Sequence, residues 1–147
     1  MCRINSSIEG IKTVAKIGLN AMEVEFVRGV HMSLNVAKEC GKVAKEFNIR
    51  LSVHAPYYIN LLSENEETMK ASKKRILDSM ERASLMDADI VVVHAGYYGK
   101  LVEKEAVEKM IEQARDLADK VKSNGWDNTL LGFETSGRVR SFGTVDE

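Results

Sequence analysis

Four short apolar runs, at 21–26, 49–54, 88–94 and 129–134, alternate along the chain with longer segments in which apolar residues recur every three or four positions. That alternation predicts βα units feeding a parallel sheet. The run at 88–94 is the clearest: three consecutive valines fit a strand covered on both faces better than a half-exposed one.

The intervening segments read as helices. Over 7–17, Ile8, Ile11, Val14, Ala15 and Ile17 fall at helical spacing, and Gly18 ends the run. Ser33 is placed to cap a second helix whose inward residues are Leu34, Ala37, Cys40, Val43, Ala44 and Phe47, with Gly41 as an internal weak point. A third runs over about 66–86 with Met69, Ile76, Leu77, Met80, Ala83 and Leu85 inward. The fourth covers about 103–123 through Val107, Met110, Ile111, Ala114, Leu117, Ala118 and Val121, and Asn124-Gly125 stops it. The predicted order is αβαβαβαβ in one domain over 1–147, since no linker or low-complexity tract divides it. The opening residues MCRINS are too short and polar for a strand. A closed (βα)8 barrel takes about 250 residues, so 147 residues correspond to about half of a TIM barrel, with two open strand edges and an expectation of self-association.

Composition changes this picture little. With 44% hydrophobic and 29% charged residues the chain reads as an ordinary globular protein, and no apolar run is long enough for a membrane span. The amino terminus has no apolar signal core, so a cytoplasmic location is expected. A formal charge of −1 argues against a nucleic-acid footprint over the whole surface and confines any DNA contact to a local patch. Cys2 and Cys40 are too few for a disulfide-stapled secreted scaffold and lack the close spacing of a thiolate zinc site, and read as free thiols.

The candidate chemistry lies at the strand ends. His54, His94 and Glu134 each close an apolar run, 40 residues apart in both intervals. In a parallel βα array all strand carboxyl ends point to one rim, so one βα unit per interval brings the three together there. Taken singly, such a histidine is more often a hydrogen-bonded structural residue and such a glutamate a solvated one. The repeated spacing favours a shared metal site, and two imidazoles with a carboxylate suit zinc, though manganese and iron accept the same donors. His31 lies outside this register and reads as structural or solvent-facing. All four tyrosines follow the histidines: Tyr57 and Tyr58 after His54, Tyr97 and Tyr98 after His94. They either cover the mouth of the array or stack against a ligand. Arg28 and Arg138 share that rim; ordinary surface arginines are the simpler reading, and phosphate contact the alternative.

The segments VEFVRG, SVHAPYYINL, VVVHAGYYG and GFETSGR, in this order over about 8–137, resemble the endonuclease IV family of zinc-dependent abasic-site endonucleases. SVHAPYYINL is the most specific of them. The resemblance implies a (βα)8 barrel with three zinc ions that hydrolyses the phosphodiester 5′ to an abasic site. It makes His54 and His94 ligands of one zinc, Glu134 a carboxylate bridging to a second, and Tyr57 an aromatic that enters DNA beside the lesion. Arg28 falls, by a looser match, in a DNA-contacting loop. Six of that family's usual nine ligands come from later strands, and Asp146 and Glu147 lie too near the end to replace them. The expectation is therefore a truncated form with at most one partial zinc site, active only when the barrel is completed. A metal-dependent sugar isomerase or epimerase barrel is the first alternative. A non-enzymatic, self-associating half-barrel is the second.

Overall fold

The computed structural model describes residues 6–145. Cys2, Asp146, Glu147 and most of the opening MCRINS segment lie outside the described residues. Eight elements follow in chain order: α1 (Ser7–Lys16), β1 (Ala21–Glu25), α2 (Leu34–Glu46), β2 (Arg50–His54), α3 (Glu66–Leu85), β3 (Ile90–His94), α4 (Glu103–Ser123) and β4 (Leu130–Glu134). All four strands pair in parallel in the order β1-β2-β3-β4. Consecutive strands as neighbours, each joined by a helix, make half of a TIM-barrel-type array.

Each helix begins and ends by local chemistry. The hydroxyls of Ser6 and Ser33 and the amide oxygen of Asn65 accept from the backbone of α1, α2 and α3. All four helices close with the same backbone bond, reaching five residues back: Leu19 to Val14, Ile49 to Ala44, Ala88 to Ala83 and Trp126 to Val121. This closure requires a left-handed residue just before the donor, supplied by Gly18 and Gly125 and, at the other two ends, by Asn48 and Asp87. Those two ends carry no glycine signal, which is why the strands start later than the apolar runs imply: Ile49 and Ala88 finish a helix cap and do not open a strand. At the other boundaries Phe26 and Thr129 lie just beyond β1 and β4, both buried.

The core lies between the sheet and the helices. Leu51, Val53, Val91 and Val93 point into it and are almost fully buried, as are Ile11, Ile76, Met80 and Leu117 from the helices. The opposite face carries Ser52, His54, Ile90, Val92 and His94, all only partly buried. β3 is thus covered fully on one face, not on both as its valines imply. Several expected inward residues are exposed: Ile17, Leu34, Phe47, Ile111 and Ala118. Ile17, Leu34 and Phe47 sit at helix ends, beyond the stretch that rests on the sheet. Small polar residues take inward places instead, because the hydroxyls of Ser72 and Ser79 donate to carbonyls one turn back within α3 and need no outside partner. Gly41 also has a packing reason: a Cβ there would stand 2.9 Å from the carbonyl oxygen of Met86.

Candidate metal centre

The three strand-end residues meet, although two of them are on strands that do not touch. His54 is in register with Val92, and Val92 with Gly132. Glu134 therefore stands two residues beyond the level of His54. A closed eight-stranded barrel of shear 8 advances about one residue per strand, or about two across two strands. That stagger offsets the strand tilt and puts His54 and Glu134 at one height.

The contacts are direct. His54 Nε2 lies 3.2 Å from Glu134 Oε2, and His94 Nδ1 lies 3.4 Å from the same oxygen. One ligand atom from each residue falls within 4.8 Å of the others. Tetrahedral donors at about 2.0–2.1 Å from a zinc ion are about 3.3 Å apart, so the two histidine-to-carboxylate distances already match such a shell. Two neutral imidazoles and a carboxylate are also the donor chemistry zinc accepts, so the residues fit a metal ion.

Second contacts orient these groups. His54 Nδ1 donates to the carbonyl of Ala55 at 2.8 Å; a carbonyl only accepts, so the hydrogen is on Nδ1 and Nε2 turns to Glu134. Burial lowers the basicity of His54, but the Ala55 carbonyl, the hydrogen bond with Glu134 and the charges of Glu23 and Glu134 outweigh it, leaving its pKa above the ordinary 6.5. Glu23, on the same face of β1, accepts from Ser52 at 3.2 Å. Its role as a nearby acid was not evident from the sequence, although the alternation in AMEVE places it on the same side as the histidines.

The tyrosines divide. Tyr57 stacks on His94 with ring centroids 6.0 Å apart and an interplanar angle of 27°, and is 5.7 Å from the His54 ring. Tyr98 packs edge-on against Phe142, while Tyr57, Tyr58 and Tyr97 are exposed. A cleft of about 480 Å³ opens at His94 and Glu134 and is bounded by Tyr57, Tyr97 and Arg138. Arg28 does not line it. That residue opens onto a separate hollow with Glu25, Gly29, His31 and Ser33, next to the Tyr57 loop through the bond from Tyr57 N–H to the Val27 carbonyl. His31 is exposed there. Asn60 was missed by sequence reasoning: its Oδ1 accepts from Leu62 and Tyr97, tying the loops after β2 and β3 together. A polar residue within the apolar INLL stretch was the only signal.

A parallel βα half-barrel with histidine and carboxylate donors on its strand-carboxyl rim defines the class. The chain belongs to the xylose isomerase-like TIM barrel family, which matches residues 11–145. An uncharacterised protein of Methanocaldococcus jannaschii is 32% identical over 95% of this chain and 50% of its own length. A probable endonuclease 4 of Cenarchaeum symbiosum is 32% identical over 80% of this chain and 41% of its own. The chain thus spans about half, or less, of these relatives. Among solved structures, endonuclease IV from Thermus thermophilus superposes with a TM-score of 0.72 at 20% identity, covering 97% of this chain and 52% of that one. D-psicose 3-epimerase from Clostridium cellulolyticum does so with a TM-score of 0.71 at 21% identity, over 93% and 49%. Both share the fold. No helix among the described residues is long and apolar enough to cross a membrane.

Proposed function

We propose that the chain supplies the first part of the metal centre of an endonuclease IV-like phosphodiesterase, which hydrolyses DNA on the 5′ side of an abasic site. The observation that carries this reading is the exposed Tyr57 ring stacked on His94 beside the His54–Glu134 contact. An aromatic that stands over a metal site yet remains open to solvent suits a large ligand with a flat or missing base better than a small sugar enclosed in a pocket. The similarity to probable endonuclease 4 sequences supports it.

His54 Nε2, His94 Nδ1 and Glu134 Oε2 would hold zinc. Zinc bound there would acidify water and neutralise charge on the phosphate. The Ala55 carbonyl keeps His54 in the tautomer that presents Nε2, and Arg138 lines the cleft where a phosphate would lie. Tyr57 would fill the space beside a nucleotide without a base, and Arg28 would contact the backbone from the neighbouring loop. Three donors are fewer than a multi-zinc phosphodiesterase uses, so turnover belongs to a form in which further βα units complete the barrel.

The test is zinc-dependent cleavage of an end-labelled duplex with one abasic site, by this chain and by a version extended with the remaining βα units, beside a ketohexose epimerisation assay. Cleavage to a 3′-hydroxyl by the extended version is the expected result. Epimerised sugar with intact DNA would overturn the reading in favour of an epimerase.

A further inference from the structure

A second cleft, of about 640 Å³, lies beside the first and is lined by Tyr57, Tyr58, Glu67, Arg75 and Tyr97 among others. Tyr57, Ile59 and Tyr97 are common to both; Ile59 is buried, which leaves the exposed Tyr57 and Tyr97 as the ridge between them. Each cleft is of a size that takes one small-molecule-sized group. A ligand seated at His94 and Glu134 that also enters the second cleft must be a chain of at least two units.

The backbone at Tyr97 is held by contacts from two loops. Its N–H donates to Asn60 Oδ1 at 3.2 Å, it forms an antiparallel bridge with Ser141, and the adjacent Gly96 carbonyl accepts from Phe142 at 3.0 Å. Gly96 has φ +138°, and a Cβ there would stand 2.3 Å from Asn60 Oδ1, so the backbone beneath the ring is fixed from two sides. The ring itself remains 50% exposed above this fixed backbone. Arg75 is fixed too: its Nη1 donates to the Tyr58 carbonyl at 3.0 Å. That acceptor is neutral, and the bond positions the guanidinium without cancelling its charge. Each cleft is lined by one arginine and one glutamate, Arg138 and Glu134 in the first and Arg75 and Glu67 in the second, on either side of the aromatic ridge. Alternating charge and ring along a groove is the pattern a polynucleotide strand meets with its phosphates and bases.

We propose that Tyr97 and Tyr57 form a ridge crossed by a nucleic-acid strand, with one nucleotide in the cleft of His94, Glu134 and Arg138 and its neighbour in the cleft of Tyr58 and Arg75. The assignment rests on the nuclease reading and adds to it a neighbouring-nucleotide subsite in which Tyr97 and Arg75 contact substrate.

Fluorescence anisotropy with a labelled duplex containing a tetrahydrofuran abasic-site analogue, in the presence of zinc, tests it on wild-type protein, Tyr97→Ala, Tyr97→Phe and Arg75→Gln. Zinc content and thermal melting are followed in parallel. Loss of a stacked ring weakens single-strand contacts by roughly five-fold or more. The expected result is at least that loss for Tyr97→Ala and Arg75→Gln, with Tyr97→Phe close to wild type and zinc content unchanged in all. Wild-type affinity in both Tyr97→Ala and Arg75→Gln overturns the subsite while leaving the nuclease reading standing. Failure of both the wild type and the version extended with the remaining βα units to bind the duplex overturns the nuclease reading, and the subsite falls with it.

Discussion

His54 and Glu134 touch across an intervening strand: β3 separates β2 from β4, yet the imidazole and carboxylate are 3.2 Å apart. Strands are about 4.8 Å apart, so β2 and β4 would be nearly 10 Å apart in a flat sheet. Curvature of the sheet toward these side chains, together with their reach, brings them together. The metal centre and the curvature of the half-barrel are therefore one property, and perturbing either should register in the other.

Zinc should stabilise the fold. A ligand at about one hundred times its dissociation constant adds about 2.7 kcal/mol, equivalent to a rise in Tm of several degrees for a chain of this length. A His54→Ala, His94→Ala double variant should show neither the rise in melting scans nor zinc by elemental analysis. Equal zinc in both proteins would remove the site.

In metal-free protein, His54 should titrate above 6.5, observable by NMR of its ring protons. A raised folded pKa contributes stability that is fully present below the unfolded value and lost as pH rises through the folded one. Apo protein should accordingly lose a small increment of stability as pH rises above 6.5, and His54→Ala should flatten that slope.

Asp116 behaves in the opposite sense. Hydrogen bonds from Lys120 at 2.7 Å and Lys73 at 2.6 Å hold its carboxyl below the usual range. Its contribution is present above about pH 4 and lost as pH falls through the lowered value. Asp116→Asn should lower the urea midpoint at pH 7 and converge with wild type in strong acid; because the group is partly exposed, the difference should be modest.

Two glycines separate strain from simple crowding. Gly96→Ala meets Asn60 Oδ1 at 2.3 Å and backbone at 3.1 Å, at a φ of +138°. It should cost on the order of 1–3 kcal/mol in chemical denaturation. For Gly132→Ala the one tight contact is with the Cδ1 of Ile90 at 2.7 Å, the far end of a side chain that can rotate away. It should cost less than about 1 kcal/mol.

Most of the architecture was legible because periodicity reports burial directly. Ser33, Gly18 and Gly125 marked helix ends that the structure has, and Met80 and Leu117 were inward as their spacing required. Asn48 and Asp87 were not legible as helix stops, because nothing in their immediate sequence distinguishes a left-handed asparagine or aspartate from a surface one. The convergence of His54, His94 and Glu134 could be anticipated from spacing, but the equal intervals were an incomplete reason: His54 pairs with Val92, and the barrel's stagger is what brings His94 and Glu134 to it. Glu23 and Asn60 escaped notice because their importance is set by contacts from other strands and loops, which a single segment does not display.

The bond from His54 Nδ1 to the Ala55 carbonyl has one further consequence. It spends the ring's hydrogen on the backbone, so a neutral His54 offers Glu134 only a lone pair, and two electron-rich atoms face each other at 3.2 Å. Such a pair repels unless something positive lies between. The scaffold thereby creates an appetite for a cation before any ion arrives; a proton is merely the smallest guest, and metal uptake at this rim should proceed by its eviction.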